Sequence, residues 1–248
     1  MALQTPLVDH LLRRADDALI LGHRLSEWTG HAPMLEEDMA LANMALDLIG
    51  QARSLYAYAA EIEGGDEDSL AYLRREGAYR NLLLVEQPNG DFAMTILRQF
   101  LYAAFADLFW RATMASTNAT LAAIAAKAEK EMAYHLRHSA EWIVRLGDSA
   151  PEARRRIEAA LTKLWPYTGE MFEAEEADLV EAGIAVDPAS LQAEWRATVE
   201  QVFARATLPV PRDGWMQTGG RQGRHSEHLG HLLSELQYLQ RAHPGATW

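Results

Sequence analysis

The sequence predicts an all-α helical bundle. Apolar residues recur at three- and four-residue steps over four long stretches. No stretch of useful length alternates with period two, and Pro/Gly clusters separate the helical stretches. Four helices of roughly 22–30 residues, at about 1.5 Å per residue, would each span about 33–45 Å, which is bundle scale.

The elements follow in order. Leu7–Trp28 carries apolar residues at Leu11, Leu12, Ala15, Leu19, Gly22 and Leu25 and reads as an amphipathic helix. The Thr29–Pro33 stretch breaks it, and Pro33 suits the first turn of the next helix, Met34–Ile62. That helix has the stripe Met34, Glu37, Leu41, Met44, Leu48, Gln51, Leu55, Ala59, Ile62 and stops at Gly64-Gly65. Two short helices are expected around Ser69–Arg75 and Asn81–Gln87, then a turn at Pro88-Asn89-Gly90. Phe92–Ser116 is a third long helix.

The fourth, over Ile124–Leu146 with Asn118 as cap, presents Leu121, Ala125, Ala128, Met132, His135, Ser139, Trp142 and Leu146 on its inward face. Helices over Glu152–Phe172, Ala174–Glu181 and Asp187–Arg205 come next, the last with Asp187 as cap and Pro188 in its first turn. Residues 208–223 are rich in Pro and Gly without a period and read as an extended segment before the last helix, Ser226–Ala242. Residues 1–248 are taken as a single domain.

Composition narrows the function. Hydrophobic residues make up 49% of 248, enough for a sizeable core. There are no cysteines, which excludes disulfides, zinc–thiolate sites, iron–sulfur clusters and a thiol nucleophile in this chain. A formal charge of -12 disfavours nucleic acid and anionic membrane as partners. Met1–Pro6 lacks the regions of a secretory signal and no apolar run suggests a membrane span, so a cytoplasmic protein is expected. There is no P-loop, no dinucleotide fingerprint and no serine elbow.

Two of the long helices repeat weakly. Setting Gln51 on His135 puts Arg53 on Arg137 and Leu48 on Met132. Di-iron carboxylate bundles of the ferritin-like type take a Glu-x-x-His pair from each of two such helices. Here the pairs read Leu48-x-x-Gln51 and Met132-x-x-His135, a metal frame without its carboxylates. Asp107 is the only mid-helix carboxylate of the third long helix, and Asp16, Asp17 and Glu27 flank the first helix's stripe. Gln51 and His135 are therefore expected as buried, hydrogen-bonded polar groups rather than ligands. An autonomous di-iron carboxylate protein, oxygenase or iron binder, is the alternative.

Five other clusters stand out. His225-x-x-His228-x-x-His231 has only Glu227 nearby and reads as a polar helix start rather than a metal site. Glu36-Glu37-Asp38 suits a helix N-terminus, and Arg154-Arg155-Arg156 a solvated face. Trp110, Trp142, Trp165 and Trp195 are expected in core or interface. Arg221, Arg224 and His225, after Gly219-Gly220, form a candidate contact for an anion or for a partner's carboxylates.

Residues 21–61, 81–100, 126–148 (AKAEKEMAYHLRHSAEWIVRLGD) and 218–245 (TGGRQGRHSEHLGHLLSELQYLQRAHPG) resemble the C-subunit family of the bacterial phenylacetyl-CoA epoxidases. These are multicomponent ring oxygenases of aerobic phenylacetate degradation. The resemblance implies a ferritin-like bundle that has lost metal ligands and serves as a structural partner. It implies that the di-iron centre and the active site lie in a related A subunit. A small B subunit and a reductase with flavin and an iron–sulfur cluster complete the system. With O2 and NADPH the complex converts phenylacetyl-CoA to a ring epoxide. No catalytic residue and no bound cofactor are expected in this chain.

Overall fold

The computed structural model describes residues 4–174 and 177–246. All regular elements among them are helical. They are α1 (Gln4–Ser26), α2 (Leu35–Glu63), α3 (Glu67–Tyr72), α4 (Leu83–Glu86), α5 (Phe92–Thr113), α6 (Ala119–Gly147), α7 (Pro151–Leu164), α8 (Ala177–Glu181), α9 (Gln192–Arg205), α10 (Glu227–Leu236) and α11 (Tyr238–Ala242). Of the expected helix at Ala174–Glu181, the described part is α8, and residues 175–176 lie outside the described residues.

The single domain expected from the sequence is grouped by its contacts into two compact units. One comprises residues 1–31, 38–88 and 218–248; the other comprises residues 32–37 and 89–217.

In the first unit, α1 is buried almost all round. Leu11, Ala15, Ala18, Ile20, Leu21 and Leu25 are all at most 1% exposed. The unbroken apolar run Ala18-Leu19-Ile20-Leu21 passes all round the helix and needs packing on every side there. On α2 the expected line Leu41, Met44, Leu48, Gln51, Leu55 and Ala59 is buried. Met34, placed at the start of that stripe, is exposed instead.

In the second unit α5 is the core. It is the one described helix long and apolar enough to cross a membrane, and 89% of that window is buried inside the protein. Trp110, Trp165 and Trp195 are buried, and Trp195 donates to the Leu101 carbonyl at 3.1 Å. Trp142 is half-buried and meets Phe92 edge-on.

The caps follow the sequence: the Asn118 side chain accepts from Leu121 N at 3.0 Å, and that of Asp187 from Ala189 N at 3.1 Å. The α6 stripe is buried from Leu121 to Ser139. It then passes to Ile143 and Gly147 instead of Trp142 and Leu146. Gly147 is a close-approach position, since a Cβ there would lie 2.3 Å from the Ala206 carbonyl oxygen.

Three expected helices are interrupted. The one over Glu152–Phe172 leaves α geometry at Leu164 and continues as 3₁₀ turns at Trp165–Tyr167 and Gly169–Phe172. Pro166, with no N–H and a ring that crowds the preceding turn, accounts for the stop. Residues 188–191 form a 3₁₀ turn before α9, and the last helix divides at Gln237 into α10 and α11. The extended segment covers residues 208–219 and closes with a 3₁₀ turn at Gly220–Gln222.

Candidate functional site

The positions matched to a metal frame are core positions. Leu48 is 0% and Gln51 3% exposed on α2; Met132 and His135 are both 0% exposed on α6. Their matched followers Arg53 and Arg137 are both exposed, so the repeat extends to burial. The Gln99 amide Nε2 lies 3.2 Å from His135 Nδ1. Ser139 Oγ donates to the His135 carbonyl at 2.7 Å.

Asp107 pairs with Arg111, and burial pushes its carboxyl up against the pull of that guanidinium. Glu37 pairs with His138 Nε2 at 2.9 Å, and Asp38 accepts from Gly30 N at 2.7 Å, so this acidic run is drawn into specific contacts. Arg155 and Arg156 chelate Glu152 on an exposed face, while Arg154 Nη2 donates to the Thr207 carbonyl at 2.7 Å. Among the described residues, no group of three or more His, Asp or Glu is arranged to hold a metal ion.

The first unit instead contains a buried ionic cluster that the sequence reading misses. Asp16 and Asp17, expected to flank the α1 stripe, are both 0% exposed. Asp16 takes the guanidinium of Arg74, the hydroxyl of Tyr56 at 2.5 Å and the Arg80 amide at 2.7 Å. Arg74 also lies over the Tyr79 ring at 4.3 Å from its centroid. Asp17 accepts two hydrogen bonds from Arg221, at 3.0 and 2.8 Å, and the Leu82 amide at 2.7 Å. Burial pushes the Asp17 carboxyl up, and the charges of Arg221 and Arg14 pull it back only in part. The sequence carried no local signal for this burial, because Asp16 and Asp17 lie on the polar side of α1 with Arg13 and Arg24.

Arg221 is therefore the correction to the proposed anion contact. Its guanidinium points inward and also donates to the carbonyls of Arg13 and Arg80, at 3.0 and 2.8 Å. The adjacent Gly220 permits this, because a Cβ there would lie 2.2 Å from the Asn81 carbonyl oxygen. Arg224 stays exposed, its Nη2 3.3 Å from Gln222 Oε1.

His225 is likewise internal. Its Nδ1 lies 2.8 Å from Glu86 Oε2 and its Nε2 3.1 Å from the Tyr79 carbonyl. Both partners only accept, so the ring satisfies both as the imidazolium. Burial pulls its pKa down, but the Glu86 hydrogen bond and charge outweigh that and leave it raised. The other Glu86 oxygen accepts from Ser226 N at 2.7 Å. The 219–226 arm is thus bonded to α1 through Arg221 and to α4 through His225 and Ser226. His228 and His231 do not join His225 in a ligand set.

This pair sets a pH dependence. A raised folded-state pKa makes the contribution of His225 fully present below the unfolded value of about 6.5 and lost as pH rises through the folded value. The melting temperature of the wild type is expected to fall more between pH 6 and pH 9 than that of His225→Gln. Parallel melting curves across that range would remove the imidazolium from the arm's anchorage.

The arrangement is a network of buried ion pairs and hydrogen bonds that ties α1, α4 and the 219–226 arm together. A family model described as phenylacetic acid catabolic protein matches residues 2–248. The chain is also 51% identical over 245 residues to the C subunit of the 1,2-phenylacetyl-CoA epoxidase of Escherichia coli (strain K12), covering 98% of this chain and 99% of that one.

Proposed function

The chain belongs to the phenylacetic acid catabolic protein family, and on that premise we propose that it is the structural, non-catalytic C subunit of a multicomponent di-iron monooxygenase. The complex epoxidises the ring of phenylacetyl-CoA in aerobic phenylacetate catabolism. The family's fold is ferritin-like, and the regular structure among the described residues is all helical. In this reading the chain pairs with and stabilises a catalytic di-iron A subunit. A small B subunit and a reductase bearing flavin and an iron–sulfur cluster, fed by NADPH, belong to the same cytoplasmic assembly.

The observation that supports it is the chemistry of four buried side chains: Leu48, Gln51, Met132 and His135. A di-iron site needs carboxylates that hold and bridge two hard cations. An alkyl chain and a thioether offer neither charge nor oxygen, and nothing then offsets the desolvation of the ions. The residues present do not fit a di-iron centre, so no chemical step is assigned to this chain.

The test is metal content by mass spectrometry. Purified alone from iron-supplied cells, the chain is expected to carry far less than one equivalent of iron. Purified with its catalytic partner, the pair is expected to carry about two irons, which stay with the partner when the two chains are separated. Stoichiometric iron on the chain alone would overturn the proposal in favour of an autonomous di-iron protein.

A further inference from the structure

Helix α2 has a second apolar line, on the side opposite its buried one. Met39, Ala42, Leu46 and Ile49 succeed each other at steps of three, four and three residues, the spacing of one helical face. Met39 is 58%, Leu46 67% and Ile49 39% exposed. The buried line, Leu41, Met44, Leu48, Gln51 and Leu55, lies about half a turn away. Ala42 and Gly50 set small side chains between the large ones, which leaves valleys for the ridges of an incoming helix. The strip runs into a groove of about 350 Å³ in which Ile49 and Arg53 face Leu19 of α1 and Glu67, Asp68 and Tyr72 of α3.

A folded chain rarely leaves so continuous an apolar line in water unless something covers it. The surrounding charges indicate what. Asp47 flanks the strip and Glu67 and Asp68 edge the groove. Against them stands Arg53, its Nε 3.4 Å from Glu67 Oε1. The edge is net acidic on a chain of formal charge -12. Two copies pressed together here would bring acidic edges into contact, whereas a chain with Lys or Arg beside its apolar stripe is attracted and steered.

We propose that the outer face of α2 is the docking surface for a helix of a different chain, apolar along one stripe and flanked by basic residues. The proposal rests on the reading of this protein as an assembly subunit, and it assigns that helix to the catalytic partner. It also separates two jobs along α2, one line closing the core and the opposite line meeting the partner.

The test is the affinity of the full-length chain for the catalytic partner, measured for the wild type and for two double variants, Met39→Lys/Leu46→Lys and Met39→Glu/Leu46→Glu. Trp215→Ser serves as the control, since Trp215 is 78% exposed on another segment. All sites are exposed, so each variant is expected to melt within a few degrees of the wild type. The lysine variant is expected to bind at least about tenfold more weakly and the glutamate variant to lose less, while the control is unchanged.

Wild-type binding that both double variants retain would overturn the docking surface and leave the subunit reading standing. A glutamate variant weaker than the lysine variant would overturn the basic partner. Self-association of the isolated chain abolished by the same substitutions would overturn the different-chain partner in favour of a second copy. A wild type that fails to bind the catalytic partner at all would overturn the subunit reading itself, and the docking proposal with it.

Discussion

Arg221→Met is expected to lower the melting temperature by about 10 °C or more, through a loss of roughly 3–5 kcal/mol. The reason lies in what remains behind. Asp17 is 0% exposed, and Arg221 supplies two of its hydrogen bonds and the nearest positive charge. Arg14 lies further off, its Nη1 3.9 Å from Asp17 Oδ2. Without Arg221 the carboxylate stays desolvated with its charge poorly met, and the carbonyls of Arg13 and Arg80 lose a donor. Burial already pushes the Asp17 carboxyl up, and losing Arg221 pushes it further. The folded variant then holds a proton that the unfolded chain releases, so its stability rises as pH falls through the folded value toward the unfolded value near 4. The deficit is therefore expected to be smaller near pH 5 than at pH 8. Combining Arg221→Met with Asp17→Leu removes both charges and is expected to be less damaging than the sum of the single changes. Melting curves of the four proteins at both pH values check this. Strict additivity would mean that Arg221 does not neutralise Asp17.

That network also marks where the sequence stopped being legible. The long helices, their caps at Asn118 and Asp187, and the burial of Leu48, Gln51, Met132 and His135 follow from periodicity and side-chain chemistry, which act locally. The Arg221–Asp17 bond joins residues 204 positions apart, and no local pattern announces it. Its acidic end was no more readable. Asp16 and Asp17 share the polar side of an amphipathic helix with Arg13 and Arg24, and nothing local in the sequence says that this side too is covered by α3, α4 and the 219–226 arm. The drift on α6 has a geometric cause. Stepping strictly by four and three from Leu121 imposes a period of 3.5, whereas an α-helix turns every 3.6, a lag of about 20° per heptad. After three heptads the inward position moves by one residue, from Trp142 and Leu146 to Ile143 and Gly147. The exposed line of α2 was invisible for a different reason: one helix carries two apolar faces, and sequence alone does not say which faces the core.

Met132→Glu is the second large effect expected, and it bears on how a bundle keeps its fold without its metal. Met132 is 0% exposed, one turn before His135, whose Nδ1 faces the Gln99 amide. A carboxylate there restores the Glu-x-x-His spacing on α6, yet the matching positions on α2 remain Leu48 and Gln51. The change introduces a desolvated anion without restoring a ligand set. A loss of roughly 3–5 kcal/mol is expected, a fall of about 10 °C in melting temperature, with no stoichiometric iron bound. Met132→Leu conserves volume and apolarity and is expected to cost less than about 1.5 kcal/mol. The contrast between the two isolates charge from packing. Should Met132→Glu melt with the wild type, position 132 is not in the core; should it bind iron and regain stability on doing so, a single carboxylate is enough to rebuild the site. The expected result points the other way. A ligand set gathers like charges in a core and depends on the cation to hold them there, so once the ions are lost, alkyl and thioether replacements stabilise the apo fold.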